Sequence, residues 1–546
     1  MRICYIWVEN FKNLNDFGIN LRNDFKFRYD SETHKLSRCK QAELPPELLG
    51  DNILDATAIL GINGAGKTNA LELTCLSLKS SERIKTPSII VYESRGKLCY
   101  INNTNNEINT DFPAQRRDDH KDLKDLTVIY FSNVFDENQL DLGKYVQDIS
   151  TNLKHNRKKN IFEKKEPGSD IATQIRFIRS SQFPKIKIDT PRTFELRIDR
   201  SVRATNNDRI HNTNGLISKI STLQNMLRKR TWVTEAQLAA IAIQGLVLYQ
   251  VLAEHRENKS LTQQIDSALY NPGHEDLTMR EALQVARDYF ISNKNLTLGG
   301  YDGDISRLID IVIALEFHLG SMNIRIDDSI KSSRYTFTLD FNNNQQSPYL
   351  ELSEIIGIIK SGSMNWTGVS SGQKAYLNMF SAIWSTLSKV GKAKNNSGTL
   401  LCIDEADLYL HPKWQVEFME RLITCLPELS EQKIQIIITT HSPILVSDLP
   451  SQCLVTLPSP LSQNGPELRT DALKTFGANL FDIYAYTFGL NGQRSGNISS
   501  KYISKILSTL DSDDITPQEL VKLQQAASII DDELITSHLI KRIYSQ

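Results

Sequence analysis

The period of the apolar positions changes several times along the chain. Residues 2–8 and 98–101 read as short strands, and the apolar run 56–60 is a strand that feeds a Gly-rich turn. Over 67–78 the spacing becomes helical, with Leu71, Leu73, Leu76 and Leu78 among its apolar positions. Residues 126–131 form another buried strand candidate. Residues 216–227, 235–257, 280–293 and 304–320 follow as helices of 3.6-residue period. No sustained heptad array runs through them, so a compact helical insertion is expected and not a long coiled-coil arm. Residues 334–341 and 349–352 return to strand-like alternation. A strand-rich block covers about 368–457, residues 458–465 read as a linker, and the remainder is mostly amphipathic helix. No repeat of fixed period is present.

Composition narrows the class. The 546 residues carry 63 Lys plus Arg against 64 Asp plus Glu, and 40% are hydrophobic. That is about three domains' worth of chain, with ample apolar material for sizeable cores. Neutrality in the total argues against a uniformly basic nucleic-acid binder, but the charge is uneven. In 148–199, Lys154, Arg157, Lys158, Lys159, Lys164, Lys165, Arg176, Arg179, Lys185, Lys187, Arg192 and Arg197 outnumber the acids, and this stretch is expected to be exposed and partly irregular. Residues 1–30 show no basic stretch followed by a long apolar run, so export is not expected. The apolar stretch 239–253 is interrupted by Gln244 and Gln250 and reads as too short to cross a bilayer, so no membrane span is expected. None of the seven cysteines forms a C-x-x-C pair, and Cys75 and Cys402 lie in apolar contexts. Buried thiols in a reducing cytosol are expected, with no disulfide or metal framework.

Four local patterns carry chemistry. Gly61-Ile62-Asn63-Gly64-Ala65-Gly66-Lys67-Thr68 fits G-x-x-x-x-G-K-[ST] between an apolar strand and a helix. Such glycines let backbone amides wrap phosphate oxygens at a helix N-terminus; Lys67 would reach the β- and γ-phosphates and Thr68 would ligate Mg²⁺. The strand 399–403 ends in Asp404 and Glu405, suited to holding Mg²⁺ and polarising an attacking water as general base. Taken singly, this is also a strand followed by a solvated turn. Ser370, Ser371, Gly372 and Gln373 open a helix over 374–387, which offers hydroxyls, amides and a dipole to another phosphate but also describes a plain N-cap. The strand 434–440 leads into His441, which could bond a γ-phosphate or the attacking water, or be a satisfied turn histidine.

The order of these patterns resembles that of the ABC-type ATPases: Walker A at 61–68, signature at 369–373, Walker B at 400–405, D-loop at Ala406, Asp407, His411 and Pro412, and switch histidine at His441. The resemblance implies an α/β head, a P-loop NTPase sheet with helices on both faces, split by the helical insertion and followed by a helical C-terminal extension. It implies ATP and Mg²⁺ as cofactors, Asn63 to Thr68 around the phosphates, Thr68 and Asp404 at the metal, and Glu405 and His441 as catalytic residues. It also implies that two heads sandwich two ATP molecules, the signature residues Ser370 to Gln373 acting in trans on the nucleotide held by Lys67. No glutamine stands clearly at a Q-loop position; Asn133, after the strand 126–131, is the substitute, placed near the metal, with Ser132 as its alternative.

The wide separation of Thr68 from Ser370 sets the chain apart from transporter heads. Ile6 to Leu14 resembles the opening strand and turn of the SMC, RecF and OLD group. Asp511 to Asp514 reads as a helix-capping turn and not as an OLD-type nuclease site. Tyr130 to Asp136 and Lys474 to Asp482 look like the ATPase subunit of Septu-type anti-phage systems, including retron-associated ones. That implies a separate HNH nuclease subunit and, in retron versions, a reverse transcriptase with its RNA–DNA hybrid (msDNA). The domain division expected is 1–147 and 331–457 for the two parts of the head, 148–330 for the basic segment and insertion, and 458–546 for the extension. Two functions follow: a cytoplasmic, oligomeric ATPase that scaffolds and regulates a partner nuclease, having none of its own, or a repair-type ATPase acting directly on nucleic acid through 154–203.

Overall fold

The computed structural model describes the chain except at residues 51, 137–139, 154–169, 204–212, 231, 270–274, 302, 328–332, 342–346, 360, 391–397, 431, 458–473, 488–494, 512–514 and 546. The expected linker 458–465, the basic residues Arg157, Lys158 and Lys159, and most of the Asp511 to Asp514 turn therefore lie outside the described residues.

The nearly continuous apolar runs become neighbouring strands covered on both faces, as such runs require. In spatial order Gln147–Asp148, Leu126–Ser132, Gly398–Asp404, Ile434–Thr439, Ile53–Leu60 and Leu454–Thr456 form a sheet. Every neighbouring pair is parallel. Alternation within a strand sends successive side chains to opposite cores: Val128 and Tyr130 pack with Leu71, Leu73 and Cys75 of the helix Lys67–Lys79, while Ile129 and Phe131 face the larger core built by the later helices. Leu400 and Cys402 divide from Leu401 and Ile403 in the same way.

The helix Lys67–Lys79 is buried on all sides because a second sheet closes over it. That sheet orders Leu14–Asn20, Arg2–Phe11, Ser88–Ser94, Lys97–Asn102 and Gln115–Arg117, antiparallel apart from its last pair. A buried polar network joins the two sheets. Asp55, fully buried, accepts from Arg2 Nε at 2.7 Å and Arg2 Nη2 at 2.6 Å. It also accepts from Asn23 N at 2.8 Å and Gln435 Nε2 at 2.9 Å. Gln435 in turn accepts from Ile3 N and donates to Ile3 O and Leu21 O.

On the other face, Asn214–Arg228, Glu235–Glu254, Lys259–Ala268, Glu275–Ser292 and Ile305–Ile313 share a core with Ser371–Val390 and Phe418–Leu429. A four-stranded antiparallel sheet, ordered Arg325–Ile326, Arg334–Asp340, Thr193–Asp199, Gly362–Thr367, pairs a strand of the basic segment with strands that precede the signature. The result is a mixed α/β fold with a parallel sheet and many helices, consistent with a P-loop ATPase.

Several expectations are corrected. Residues 349–352 are not a strand but lie in the helix Ser347–Ile358: Tyr349, Leu352, Ile355 and Ile356 are buried at helical spacing, a period that four residues are too few to reveal. The helix expected over 304–320 breaks at Ala314 into Ile305–Ile313 and Leu315–Gly320. Lys259–Ala268 is an additional helix, capped by Asn258. The apolar stretch 239–253 belongs to a 20-residue helix long and apolar enough by composition to cross a membrane, and 67% of its apolar window is buried within the protein.

The described part of the basic segment is more regular than expected, and most of its apolar side chains are buried while most of its basic ones stay exposed. Asp170–Ile178 buries Ile171, Ile175 and Phe177, and Thr193–Asp199 buries Phe194, Leu196 and Ile198. Lys185, Lys187 and Arg176 are paired with Glu428, Glu420 and Glu354.

Removing Arg2 would strand the Asp55 carboxylate in the core. Arg2→Ala is expected to destabilise by about 3–5 kcal/mol, read as a lower denaturant midpoint of unfolding; a shift within error of wild type would show that Asp55 is satisfied without the guanidinium.

Candidate nucleotide-binding site

All the long strands of the parallel sheet point their carboxyl ends to one edge, where open α/β sheets bind ligands. The first leaves Leu60 into the phosphate loop. Gly64 and Gly66 take left-handed φ of 79° and 97°, so the loop turns its amides inward before the helix begins at Lys67. A Cβ on Gly66 would lie 2.5 Å from Asn13 Oδ1. Asn13 sits in the tight turn after Arg2–Phe11, where it donates to Ala65 O at 2.9 Å and accepts from Asn69 at 2.7 Å. This polar latch brings the N-terminal sheet onto the loop. Lys67 curls back over the loop, its ammonium donating to Gly61 O at 2.9 Å and Ile62 O at 3.3 Å. Burial lowers its pKa, against the opposing pull of Glu405, Asp404 and Asp407. Asn63 and Gly64 are exposed at the loop's tip.

Asp404 ends the next strand but one and is 4% exposed. Its Oδ2 accepts from Thr68 Oγ1 at 2.9 Å and from the Tyr130 hydroxyl at 3.0 Å. Its Oδ1 accepts from Thr439 Oγ1. The structure thus brings Thr68 and Asp404 together, and adds two residues to which the sequence assigned no role. Tyr130 stood in the quoted run 130–136, and Thr439 adjoins the histidine turn.

Glu405 follows in a left-handed conformation, φ 49°, that a non-glycine residue adopts at a cost of about 1 kcal/mol. Two bonds hold it there: Glu405 N donates to Thr439 Oγ1 at 2.8 Å, and Ala406 N donates to Thr439 O at 2.9 Å. Burial, then the charges of Asp404 and Asp407, raise the Glu405 pKa above the ordinary carboxylate value. His441 is half-buried at the end of the neighbouring strand, its amide held by Asp407 Oδ1 at 3.0 Å. Burial and the charge of Lys67 lower its pKa, favouring the neutral ring.

The signature stands apart from this group. Among the described residues no hydrogen bond joins Ser370 to Gln373 with the phosphate loop. Ser370 Oγ accepts from Gln373 N at 3.2 Å and Ser370 N donates to Gln373 Oε1 at 2.8 Å, a reciprocal cap of the helix Ser371–Val390. Ser370 and Ser371 are exposed, while Gly372 is buried so close to Trp414 and Tyr409 O that a Cβ would lie 3.2 Å from both. Asn133 is bonded toward this helix: Asn133 Nδ2 donates to Ala375 O at 3.4 Å and Asn133 Oδ1 accepts from Asn378 at 3.0 Å. Among the described residues no hydrogen bond joins it to Thr68 or Asp404. Ser132 Oγ caps Val134 N at 3.1 Å.

The fold and this edge are consistent with a P-loop ATPase. Residues 286–447 match the family described as "AAA domain, putative AbiEii toxin, Type IV TA system". The chain is 30% identical over 135 residues to "Retron Vc95 probable ATPase" of Vibrio cholerae serotype O1 biovar El Tor, covering 24% of each chain. It is 29% identical over 197 residues to "Retron Ec83 probable ATPase" of Escherichia coli, covering 34% of this chain and 35% of that one. To "Septu protein PtuA" of Bacillus mycoides (strain KBAB4) it is 26% identical over 163 residues, covering 30% and 22%. The matches span no more than 35% of the length of these relatives. The chain is thus similar to ABC-type ATPases of retron and Septu defence systems.

The Thr439 hydroxyl serves two partners at once. Thr439→Val is expected to destabilise by about 2 kcal/mol, leaving the Glu405 amide and one Asp404 oxygen short of a partner, whereas Thr439→Ser keeps most of the stability. Equal unfolding midpoints for the two variants would contradict the bridge.

Proposed function

We propose that this chain is the ATP-binding and ATP-hydrolysing subunit of an anti-phage defence complex, cytoplasmic, which scaffolds and regulates a separate HNH nuclease through nucleotide-dependent closure of two heads. The observation that carries the reading is the single sheet edge on which Lys67, the Thr68–Asp404 pair, Glu405 and His441 meet.

The residues present suit the implied groups. Asp404, Glu405 and Asp407 face one ammonium, Lys67, so the edge has carboxylate charge to spare for a cation. The hydroxyl and carboxylate oxygens of Thr68 and Asp404 are the hard donors Mg²⁺ takes. Thr68 and Asp404 would hold the ion, and Asn63 to Thr68 the phosphates. When bound, the ion supplies neutralisation of charge developing on the transferred phosphoryl group. Lys67 supplies a second positive charge there. Glu405, held by Thr439 at the edge, is the base that takes the proton of the attacking water, and neutral His441 offers a hydrogen bond beside it.

The head is proposed to comprise 1–147 and 331–457, with 148–330 as insertion and 458–546 as extension. In the closed pair, exposed Ser370 and Ser371 of one head meet the nucleotide on the other. The chain contributes no nuclease of its own. The names of the relatives, two retron ATPases and a Septu protein, support the defence setting, and for a retron setting a reverse transcriptase and its msDNA join the proposed partners. Direct action on nucleic acid is the weaker reading, because Lys185, Lys187 and Arg176 are already paired with acids. A steep fall of affinity with salt, lost on neutralising Arg157, Lys158 and Lys159, would restore it.

Lys67→Ala is expected to abolish ATP binding in equilibrium dialysis, and Glu405→Gln to trap an ATP-bound dimer seen by sedimentation. Hydrolysis unchanged in both would refute the assignment. Because Glu405 must be ionised to act and its pKa is raised, the rate should fall on acidification at a pH above the usual carboxylate range. A wild-type profile without that acidic limb would remove Glu405 as the base.

A further inference from the structure

The strand Leu126–Ser132 does more than flank Asp404. In the parallel register Tyr130 pairs with Cys402 and Ser132 with Asp404, so Tyr130 lies one step diagonally from the carboxylate, on the same face of the sheet. Its ring is 3% exposed and its hydroxyl donates to Asp404 Oδ2 at 3.0 Å. The carrier is rigid: the strand is paired on both edges, with Gly398–Asp404 on one side and Gln147–Asp148 on the other, and Ile149 N donates to Tyr130 O at 2.9 Å.

We infer that Tyr130 is a positioning residue for the metal-side carboxylate. With Thr439 it sets the rotation of the Asp404 carboxyl group and so the affinity of the nucleotide site for a divalent cation; this rests on the proposed ATP-binding role. Three hydroxyls reach Asp404, but they are not equivalent. Thr68 is itself a proposed ligand, and its hydroxyl is the one an ion would claim. The remaining two anchors act on different oxygens, Tyr130 on Oδ2 and Thr439 on Oδ1, from the strands on either side. One fixed donor on each oxygen removes the torsional freedom of the carboxyl group, which would otherwise have to be lost when an ion binds. Outer partners of this kind typically carry about 10–100-fold in metal affinity.

The test uses Mn²⁺ in place of Mg²⁺, its binding to the ATP-loaded chain followed by electron paramagnetic resonance, with ATP affinity measured separately without divalent ions. Tyr130→Phe keeps the ring and removes only the hydroxyl. It is expected to weaken Mn²⁺ binding about 10-fold while changing metal-free ATP affinity less than about twofold. In an Asp404→Asn background the same substitution should add little further loss. Unchanged or tighter Mn²⁺ binding in Tyr130→Phe overturns the inference but leaves the nucleotide site standing. So does a full additional loss in the Asp404→Asn background, since the hydroxyl would then act elsewhere. A wild-type chain that binds ATP in neither condition removes both the inference and the function on which it rests. The unfolding midpoint of Tyr130→Phe supplies the control: a metal defect without a drop in midpoint is not the effect of lost folding.

Discussion

A carboxylate withdrawn from water at the end of a central strand costs several kcal/mol unless its oxygens are satisfied. Asp404 is such a group, and its needs organise the carboxyl edge of the sheet. The donors come from three separate elements: the helix of the phosphate loop, the strand before it in the sheet and the strand after it. Thr439 then spends its acceptor on the Glu405 amide, so the hydroxyl that satisfies Asp404 also sets the backbone of the next residue. Asp407 repeats the device one turn later, holding Thr440 and His441. The loop, Glu405 and His441 are therefore not placed independently; each is hung on a buried or half-buried aspartate.

The opposite edge of the sheet is pinned by different chemistry. There Asp55 is met by a bidentate guanidinium as well as by amide donors, so its charge is balanced within the protein. At the carboxyl edge the donors are neutral hydroxyls, which stabilise the Asp404 charge without cancelling it. Burial, then the charges of Asp404 and Asp407, raise the proton affinity of Glu405, and Lys67 opposes them. One aspartate has its charge balanced by a guanidinium and the other keeps its charge at the edge. Both sit on buried strands of one sheet, and the identity of their partners makes the difference.

Much of this was legible in the residues. The phosphate loop, the Asp-Glu strand and the histidine strand were each signalled by an apolar run with a defined ending, and the strands and helices around them appear where the periodicity placed them. Legibility failed in three physical situations. Where a window was short, as at 349–352, strand and helix spacing could not be told apart. Where charge was read as exposure, as in 170–199, the alternate apolar residues of Thr193–Asp199 were outvoted by their basic neighbours. Where a bond joins residues far apart in sequence, as Tyr130 to Asp404 or Asn13 to Ala65, neither partner announces the other. Only the pairing register brings them together, and one sequence does not contain the register.

The signature illustrates why two readings of one pattern need not compete. Ser370 is an N-cap, and as a cap its Oγ accepts a bond from the Gln373 amide while its own hydroxyl proton is left unspent by that bond. An acceptor role toward the helix and a donor role toward an anion use opposite ends of the same group. The cap also fixes where the donor sits, since Gln373 closes back on the Ser370 amide and Gly372 is pressed against Trp414 and Tyr409. Any bulkier residue at Gly372 would lift the helix start off that support. The same helix is gripped further along by Asn133, which emerges from the strand that carries Tyr130. Asp404 and the helix Ser371–Val390 are thus both bonded to one strand end, at Tyr130 and Asn133, three residues apart.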